Sequence, residues 1–219
     1  MKTAKVNGAE ISAEAVRFEL DRLVRFYASH GMTADEVRKN LPKLQEKALE
    51  QAIGAKLLLD RASQLDLPVG AKEVDDEVSK VVAQVGGEEN YKKALAVQNL
   101  PEADFRRELE KGARVNKLVE QACTGVPEPT EKDVADFYEA HRSEYYAESK
   151  DTGRRIALTL VDVHDQIKDL LRHEARGRAV EAFVRELRDA ATIEYVETGC
   201  KCGHDHGHDH SHDCGCGHC

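Results

Sequence analysis

The chain has 219 residues and a formal net charge of −9, with no Trp, five Phe and six Tyr. This length suits one ordinary domain with appendages, and the scarcity of aromatic residues predicts an aliphatic core. No stretch of about 18 uncharged apolar residues occurs, which excludes a transmembrane helix and makes a membrane partner unexpected. Residues 1–8 lack an apolar segment behind their basic start, so we expect no secretory signal. The net negative charge also argues against a nucleic-acid partner, because nucleic acid binds concentrated basic faces.

The cysteines divide the chain into two parts. Five of the six lie in the last 20 residues, and only Cys123 lies in the body. A disulfide framework would place cysteines throughout the fold. We therefore predict a helical domain without disulfides over residues 1–198 and a chemically separate tail over residues 199–219.

The first third of the chain predicts helices. One begins after Ser12, which is a good N-cap residue, and ends before Gly31,. The sequence Thr33-Ala34-Asp35-Glu36 is a capping box and indicates a short helix,. Pro42 suits the first position of a separate, long helix that runs to Gln64,. The Leu and Ala rows of this long helix form a wide apolar face, which predicts that more than one neighbour covers it.

Further helices are predicted over residues 71–85, around Tyr91, over residues 102–119 and after Thr130, each bounded by Gly, Pro or a capping residue,. Their apolar residues recur at helical spacing. The body is therefore predicted to be mostly α-helical.

The last part of the body is less regular. We predict a loop at 147–155, a weak strand at 156–163 and a closing helix from 164 to 190,. The β-branched and aromatic residues at 193–196 predict a strand, and a lone strand needs a partner for its backbone groups. The best partner is residues 4–6, so we expect the two termini of the domain to pair.

Short motifs follow one another through the body in a recognisable order: Val6-Asn7-Gly8, Ile11-Ser12, Leu57-Leu58-Leu59, Leu65-Asp66-Leu67-Pro68-Val69, Glu73-Val74-Asp75-Asp76-Glu77-Val78, Phe105-Arg106, Val126-Pro127 and Phe137-Tyr138. In this order they resemble the N-terminal chaperone domain of the SurA/PrsA/NifM-type parvulin peptidyl-prolyl isomerases. The similarity covers residues 4–145 and resumes at 165–187 and 193–195. The resemblance implies a helical domain that holds unfolded or maturing client protein without ATP.

The chain also departs from the domain arrangement of this family. In the family, a parvulin domain lies between the Phe-Tyr helix and the closing helix, and its site uses paired His residues with a Cys or Asp. Here only the segment between Tyr145 and Asp165 is available, which is too short for a domain with its own core,. We therefore expect no catalytic residues, and a residual prolyl isomerase remains an alternative. The histidines of the body have plainer roles, since His30 and His141 are predicted near helix C-termini, where they complement the dipole.

Extended polypeptide binds where an apolar groove lies open beside a polar rim. The candidate peptide-binding residues are seven apolar side chains predicted to point outward: Phe18, Phe26, Tyr27, Tyr91, Val97, Tyr145 and Tyr146. A negative rim would favour basic clients. The alternative is that each belongs to the core or is an isolated surface residue.

The tail, residues 200–219, holds five Cys, six His and three Asp and cannot form an apolar core. Its Cys-x-Cys pairs and alternating His can chelate ions, and we expect it to be disordered without metal. The predicted metal ligands are Cys200, Cys202, His204, His206, His208, His210, His212, Cys214, Cys216, His218 and Cys219. Thiolate and imidazole ligands suit zinc or nickel, and copper also fits. The tail resembles the metal-rich C-termini of SlyD-type isomerases and of nickel-insertion accessory proteins.

Five neighbouring thiols would oxidise outside a reducing compartment, so we expect a cytoplasmic protein. Three functions follow from these observations. The first is a chaperone with a metal-binding tail that aids metalloenzyme maturation. The second is a metal storage or delivery protein in which the helical body is a scaffold, and the third is a prolyl isomerase. A further alternative is that the tail binds metal only adventitiously.

Overall fold

The computed structural model describes residues 2–148 and 154–197. The elements follow in this order: β1 (Lys2–Val6), β2 (Ala9–Glu10), α1 (Ala13–Ser29), α2 (Ala34–Gln64), α3 (Ala71–Gln84), α4 (Glu88–Val97), α5 (Glu102–Ala122), α6 (Glu131–His141), a 3-10 turn (Arg142–Glu144), β3 (Tyr146–Glu148), β4 (Arg155–Ala157), α7 (Leu160–Asp189) and β5 (Ile193–Glu197). The predicted mostly helical fold is confirmed. None of the helices in the described ranges combines the length and the apolar character that a membrane span requires.

The helices begin at N-cap residues and capping boxes that can be recognised in the sequence. The Ser12 hydroxyl accepts from the Ala15 amide at 3.1 Å and caps α1. Thr33 and Thr130 begin α2 and α6 through capping boxes. In α2, the Thr33 amide donates to the Glu36 carboxylate at 2.8 Å. These bonds satisfy amides that no helical carbonyl can reach.

The predicted break between two helices near Pro42 is wrong. Residues 34–64 form one helix, α2, with Pro42 inside it. Proline has no amide hydrogen, so the carbonyl of Arg38 loses its helical partner there. The helix continues because α1, α5, α7 and β1 all pack against α2, and this tertiary packing outweighs one missing hydrogen bond,.

The boundaries before the closing helix also need correction. Residues 146–148 and 155–157 form a two-stranded antiparallel hairpin where a loop and a longer strand were predicted. Helix α7 begins at Leu160, four residues earlier than predicted, because Thr159 and Asp162 form a capping box. The Tyr138 hydroxyl donates to the Leu158 carbonyl at 2.7 Å and attaches the hairpin to α6.

The predicted pairing of the terminal strands is confirmed. Strand β1 lies between β2 and β5 in an antiparallel sheet, with Val6 opposite Ile193 and Ala4 opposite Tyr195. Asn7 and Gly8 both have positive φ and form the two-residue turn from β1 to β2, as an Asn-Gly pair is suited to do. The sheet therefore joins the beginning of the domain to its end.

Two clusters of buried side chains hold the body together. The first lies between the sheet, α1 and α2, and its buried members are Ala4, Val6, Ile11, Val16, Leu23, Ala48, Leu49, Ala52, Ile53 and Leu57. The second joins α6 to the start of α7 through Val134, Tyr138, Val163 and Ile167. Helix α7 reaches both clusters, since its Leu187 packs against the first.

A small ionic cluster links α6 to α7 beside the second core. His164 Nε2 lies 2.6 Å from a Glu131 carboxylate oxygen, and Lys168 Nζ lies 2.9 Å from the other. Hydrogen bonds to Asp165 and Glu131 raise the pKa of His164. Hydrogen bonds from Lys168 and His164 lower the pKa of Glu131. The two helices therefore favour a charged imidazole.

This cluster predicts a pH dependence of stability. Because the folded pKa of His164 is raised above 6.5, its contribution is complete below that pH and is lost as pH rises through the folded value. We expect His164→Gln to destabilise the protein most near pH 6 and to have a diminishing effect towards pH 9. Urea unfolding at several pH values measures this. Equal destabilisation at all pH values would contradict the ionic account.

Tyr91 lies in a small core between α4 and α5. Its side chain is 3% exposed, and its ring centroid lies 5.8 Å from that of Phe105. Burial raises the pKa of the Tyr91 phenol, and its hydroxyl oxygen has no hydrogen-bond partner. The expectation that Tyr91 points outward to meet peptide is therefore corrected, because the ring is buried and contacts Phe105 of α5.

An unpartnered buried hydroxyl costs free energy. We expect Tyr91→Phe to raise the free energy of unfolding by about 1 kcal/mol, and to leave client binding unchanged. Chemical denaturation and a client-binding assay on the same variant measure both effects. Loss of stability would show that the hydroxyl has a partner, and loss of binding would return Tyr91 to the binding surface.

Candidate peptide-binding groove

Two neighbouring cavities lie along α2. The first has a volume of about 580 Å³ and lies where β2, α1, α2 and α5 meet. The second has a volume of about 600 Å³ and lies between α1, α2 and α7. Glu19 and Ala55 line both cavities. The two cavities therefore adjoin each other at these residues, and we call the surface that they form together the α2 groove.

Small side chains of α2 form the floor of the groove. Ala52 and Ala55 line the first cavity, and Gly54 and Ala55 line the second, where residues of α7 form another part of the lining. At Gly54, an added Cβ would lie 3.4 Å from Val184 Cγ1, so α7 approaches the backbone of α2 closely here. A floor of small residues leaves room above it that larger side chains would fill.

The apolar walls come from three helices. In the first cavity they are Ala15, Phe18 and Leu59, together with Ile11 at the end of the sheet. In the second they are Leu58, Val180 and Val184. Phe18 is 62% exposed, which is a large apolar surface left open to solvent beside a cavity. This combination of apolar floor, apolar wall and open mouth suits an extended polypeptide.

Acidic groups predominate at the rim. The lining residues include five carboxylates and three cations, namely Glu10, Glu19, Glu50, Glu108, Glu181, Arg22, Lys47 and Lys56. All three cations already have partners within the domain, and Arg22 pairs with Glu19 on the same helix. Lys56 pairs with Asp60, and Lys47 Nζ donates to the Tyr27 hydroxyl at 3.0 Å. The groove therefore presents a net negative field to an incoming chain.

Three of the residues predicted to bind peptide lie on α1. Phe18 lines the first cavity. Phe26 and Tyr27 lie two turns further along, where their rings contact edge to face with centroids 5.4 Å apart. Phe26 is 54% exposed, and His30 lies over it at 4.2 Å. These side chains extend the apolar surface of α1 beyond the groove.

The other four lie elsewhere. Tyr91 is in the α4–α5 core, and Val97, which is 83% exposed, lies at the end of α4. Tyr145 packs against the second core, and Tyr146 lies under the Arg155 guanidinium at 3.4 Å. The structure therefore does not bring the seven residues into one surface. The sequence analysis missed Glu19, Ala55 and Val184 as groove residues, and only Ala55 had a signal there, the Ala-rich face of α2.

The histidines and cysteine of the body have structural positions. The imidazoles of His30 and His141 contact the carbonyls of Phe26 and Phe137 at 2.7 and 2.9 Å, at the C-termini of α1 and α6. Cys123 is buried. Within residues 2–148 and 154–197, no cluster of His, Cys, Asp and Glu is arranged to hold a metal ion. The predicted metal ligands at 200–219 lie outside the described residues.

The connection between α6 and α7 is formed by residues 142–159, which contain no His and no Cys. Its described part is the 3-10 turn and the β3–β4 hairpin. The nearest imidazoles, those of His141 and His164, bond to a backbone carbonyl and to carboxylates. This arrangement differs from the paired histidines that a parvulin site requires.

Comparison with known proteins agrees with this architecture. The chain is 24% identical over 154 residues to the Azotobacter chroococcum protein named "Putative peptidyl-prolyl cis-trans isomerase NifM". The match covers 67% of this chain and 51% of that protein, so the chain spans about half the length of this relative.

A solved structure shows a similar fold. It comes from work on two SurA-like chaperones of Campylobacter jejuni, the virulence factor PEB4 and the periplasmic protein Cj1289. The TM-score is 0.54 at 15% identity, and the alignment covers 89% of this chain and 98% of that one. The profile of the SurA-like N-terminal domain matches residues 1–119, which is more than half of the chain. This match, on a fold shared with SurA-like chaperones, supports a chaperone-like role and shows that the chain belongs to the SurA-like N-terminal domain family.

Proposed function

We propose that this protein is an ATP-independent chaperone that holds unfolded or maturing polypeptide in the α2 groove, and that its C-terminal tail binds metal. The observation that carries the first part is the groove itself, two adjoining open cavities with apolar walls and an acidic rim in a chain of the SurA-like N-terminal domain family. Its clients would be extended segments that pair apolar with basic residues.

The size of the groove suits weak, reversible holding. Each apolar side chain that leaves water contributes about 1.5–3 kcal/mol. Ordering an extended segment and losing its free translation offset a large part of that gain. Two cavities of this size have room for only a few client side chains. A chaperone without ATP needs such moderate affinity, because nothing else releases its client.

Filling the groove tests the assignment. Ala55 is exposed and lines both cavities, so Ala55→Trp places an indole where client side chains would lie. We expect this variant to lose most of its ability to suppress the aggregation of a chemically unfolded client, measured by light scattering. Ala96 is exposed on α4 and lies outside both cavities, so Ala96→Trp is the matched control and should keep full activity. Equal activity of the two variants would show that clients bind elsewhere.

The tail proposal has a separate basis in the sequence. Residues 200–219 supply eleven thiolate and imidazole ligands, enough for about two or three four-coordinate ions,. Zinc or nickel is the expected ion, and copper is compatible with the same ligands. Joined to a client-holding domain, the tail would buffer or donate metal while a metalloenzyme matures. The second candidate function, metal storage or delivery with the body as a scaffold, has this ligand set as its supporting observation.

Metal titration separates the two parts of the chain. We expect the full chain to bind about two or three zinc ions against a chromophoric chelator, and a chain ending at Thr198 to bind none. Occupancy should fall as pH drops through about 6, because His and Cys ligands bind in their deprotonated forms. If the shortened chain keeps its aggregation suppression, the chaperone function is supported. If suppression disappears with the tail, metal handling is the better description.

The remaining proposals concern catalysis and compartment. A prolyl isomerase is the third candidate, since the relative at 24% identity is named as one. The connection between α6 and α7 lacks the His and Cys of a parvulin site, so we propose a chaperone without isomerase activity. The clustered thiols of the tail favour a reducing compartment, such as the cytoplasm.

A further inference from the structure

Glu19 is an unusual residue for the middle of α1. Among the described residues it is the one charged side chain that is buried, at 7% exposure. Its Oε2 lies 3.0 Å from Arg22 Nη2, yet no donor hydrogen is directed at this oxygen. The Arg22 side chain is 59% exposed and lies on the same helix. A carboxylate held this way is desolvated without full compensation, which is unfavourable in the free protein.

A second buried acceptor atom without a hydrogen-bond donor belongs to a residue that lines the same cavity. Gln51 Oε1, on the facing helix α2, is also buried without a hydrogen-bond donor. Glu19 and Gln51 both line the second cavity. Two buried acceptors without donors favour a ligand that brings several donors, and the carboxylate favours one with positive charge.

The Glu19 carboxylate lies beside the apolar lining of the first cavity. Glu19 also lines the first cavity, together with Phe18, Ala52 and Leu59. A client side chain that reaches Glu19 would therefore belong to a segment whose neighbouring residues lie on the apolar surface of the groove. The net negative rim excludes anionic groups from this position,.

We propose that the junction of the two cavities is a subsite for one Arg or Lys side chain of the client. Glu19 accepts its charged hydrogen bond, Gln51 accepts a second, and the flanking apolar residues of the client lie in the first cavity. The exposed Arg22 turns away to solvent when the client cation enters. This inference rests on the proposed chaperone function and defines its client class as apolar segments that contain a basic residue.

The test compares two peptides on the full chain. One is a labelled apolar nonapeptide with a central Arg, and the other carries citrulline there, which keeps the shape and removes the charge. Fluorescence anisotropy at low salt should show about 10- to 100-fold tighter binding of the Arg peptide. Glu19→Gln should reduce this preference to less than about threefold, chiefly by weakening binding of the Arg peptide.

The control is Glu14→Gln, an equivalent change at an exposed position of α1 outside both cavities. It should keep the wild-type preference. Glu19→Gln keeps the side-chain shape and removes a buried charge, so we expect its melting temperature to be unchanged or higher.

The outcomes separate the two proposals. Equal binding of the two peptides by the wild type, or a preference that Glu19→Gln leaves intact, overturns the subsite while the chaperone function stands. Failure to bind either peptide while an unfolded client is still held also overturns the subsite. Failure to bind both the peptides and the unfolded client overturns the chaperone function itself.

Discussion

The fold depends on helix α2, which packs against four neighbouring elements at once. Helix α2 packs against α1, α5, α7 and β1, and the first core lies along its length. Its small residues allow close contact on one side, where Val184 of α7 approaches Gly54. The same small residues leave space where no neighbour fills it. The groove is thus a consequence of how α2 is packed, and the packing and the proposed binding surface cannot be altered independently.

Closure of the domain depends on the terminal strands. Ala4 and Val6 are fully buried, and the antiparallel register with β5 brings the end of α7 onto the first core. Without β5, one edge of β1 would lack backbone partners. Asn7 reinforces the closure, because its side-chain oxygen accepts from the Thr192 amide at 3.0 Å. These contacts fix the position of α7, and α7 forms one wall of the groove.

Local signals in the sequence predicted most of the elements but not the site. Capping boxes at Thr33 and Thr130 are contained in four residues each, so they can be read directly. The continuity of α2 through Pro42 could not be predicted from local sequence, because it depends on packing from distant segments. Burial of Tyr91 depends on Phe105 in the next helix, and burial of Glu19 contradicts the usual exposure of acidic residues,. The groove is defined by what remains empty between helices, which no periodicity in one segment reveals.

The central claim is that clients occupy the α2 groove, and site-specific photo-crosslinking tests it most directly. Phe18 and Val97 are both exposed apolar residues, but only Phe18 lines the groove. A benzophenone amino acid placed at position 18 should crosslink to a bound unfolded client, and the same group at position 97 should not. Crosslinking from position 97 with none from position 18 would contradict the account.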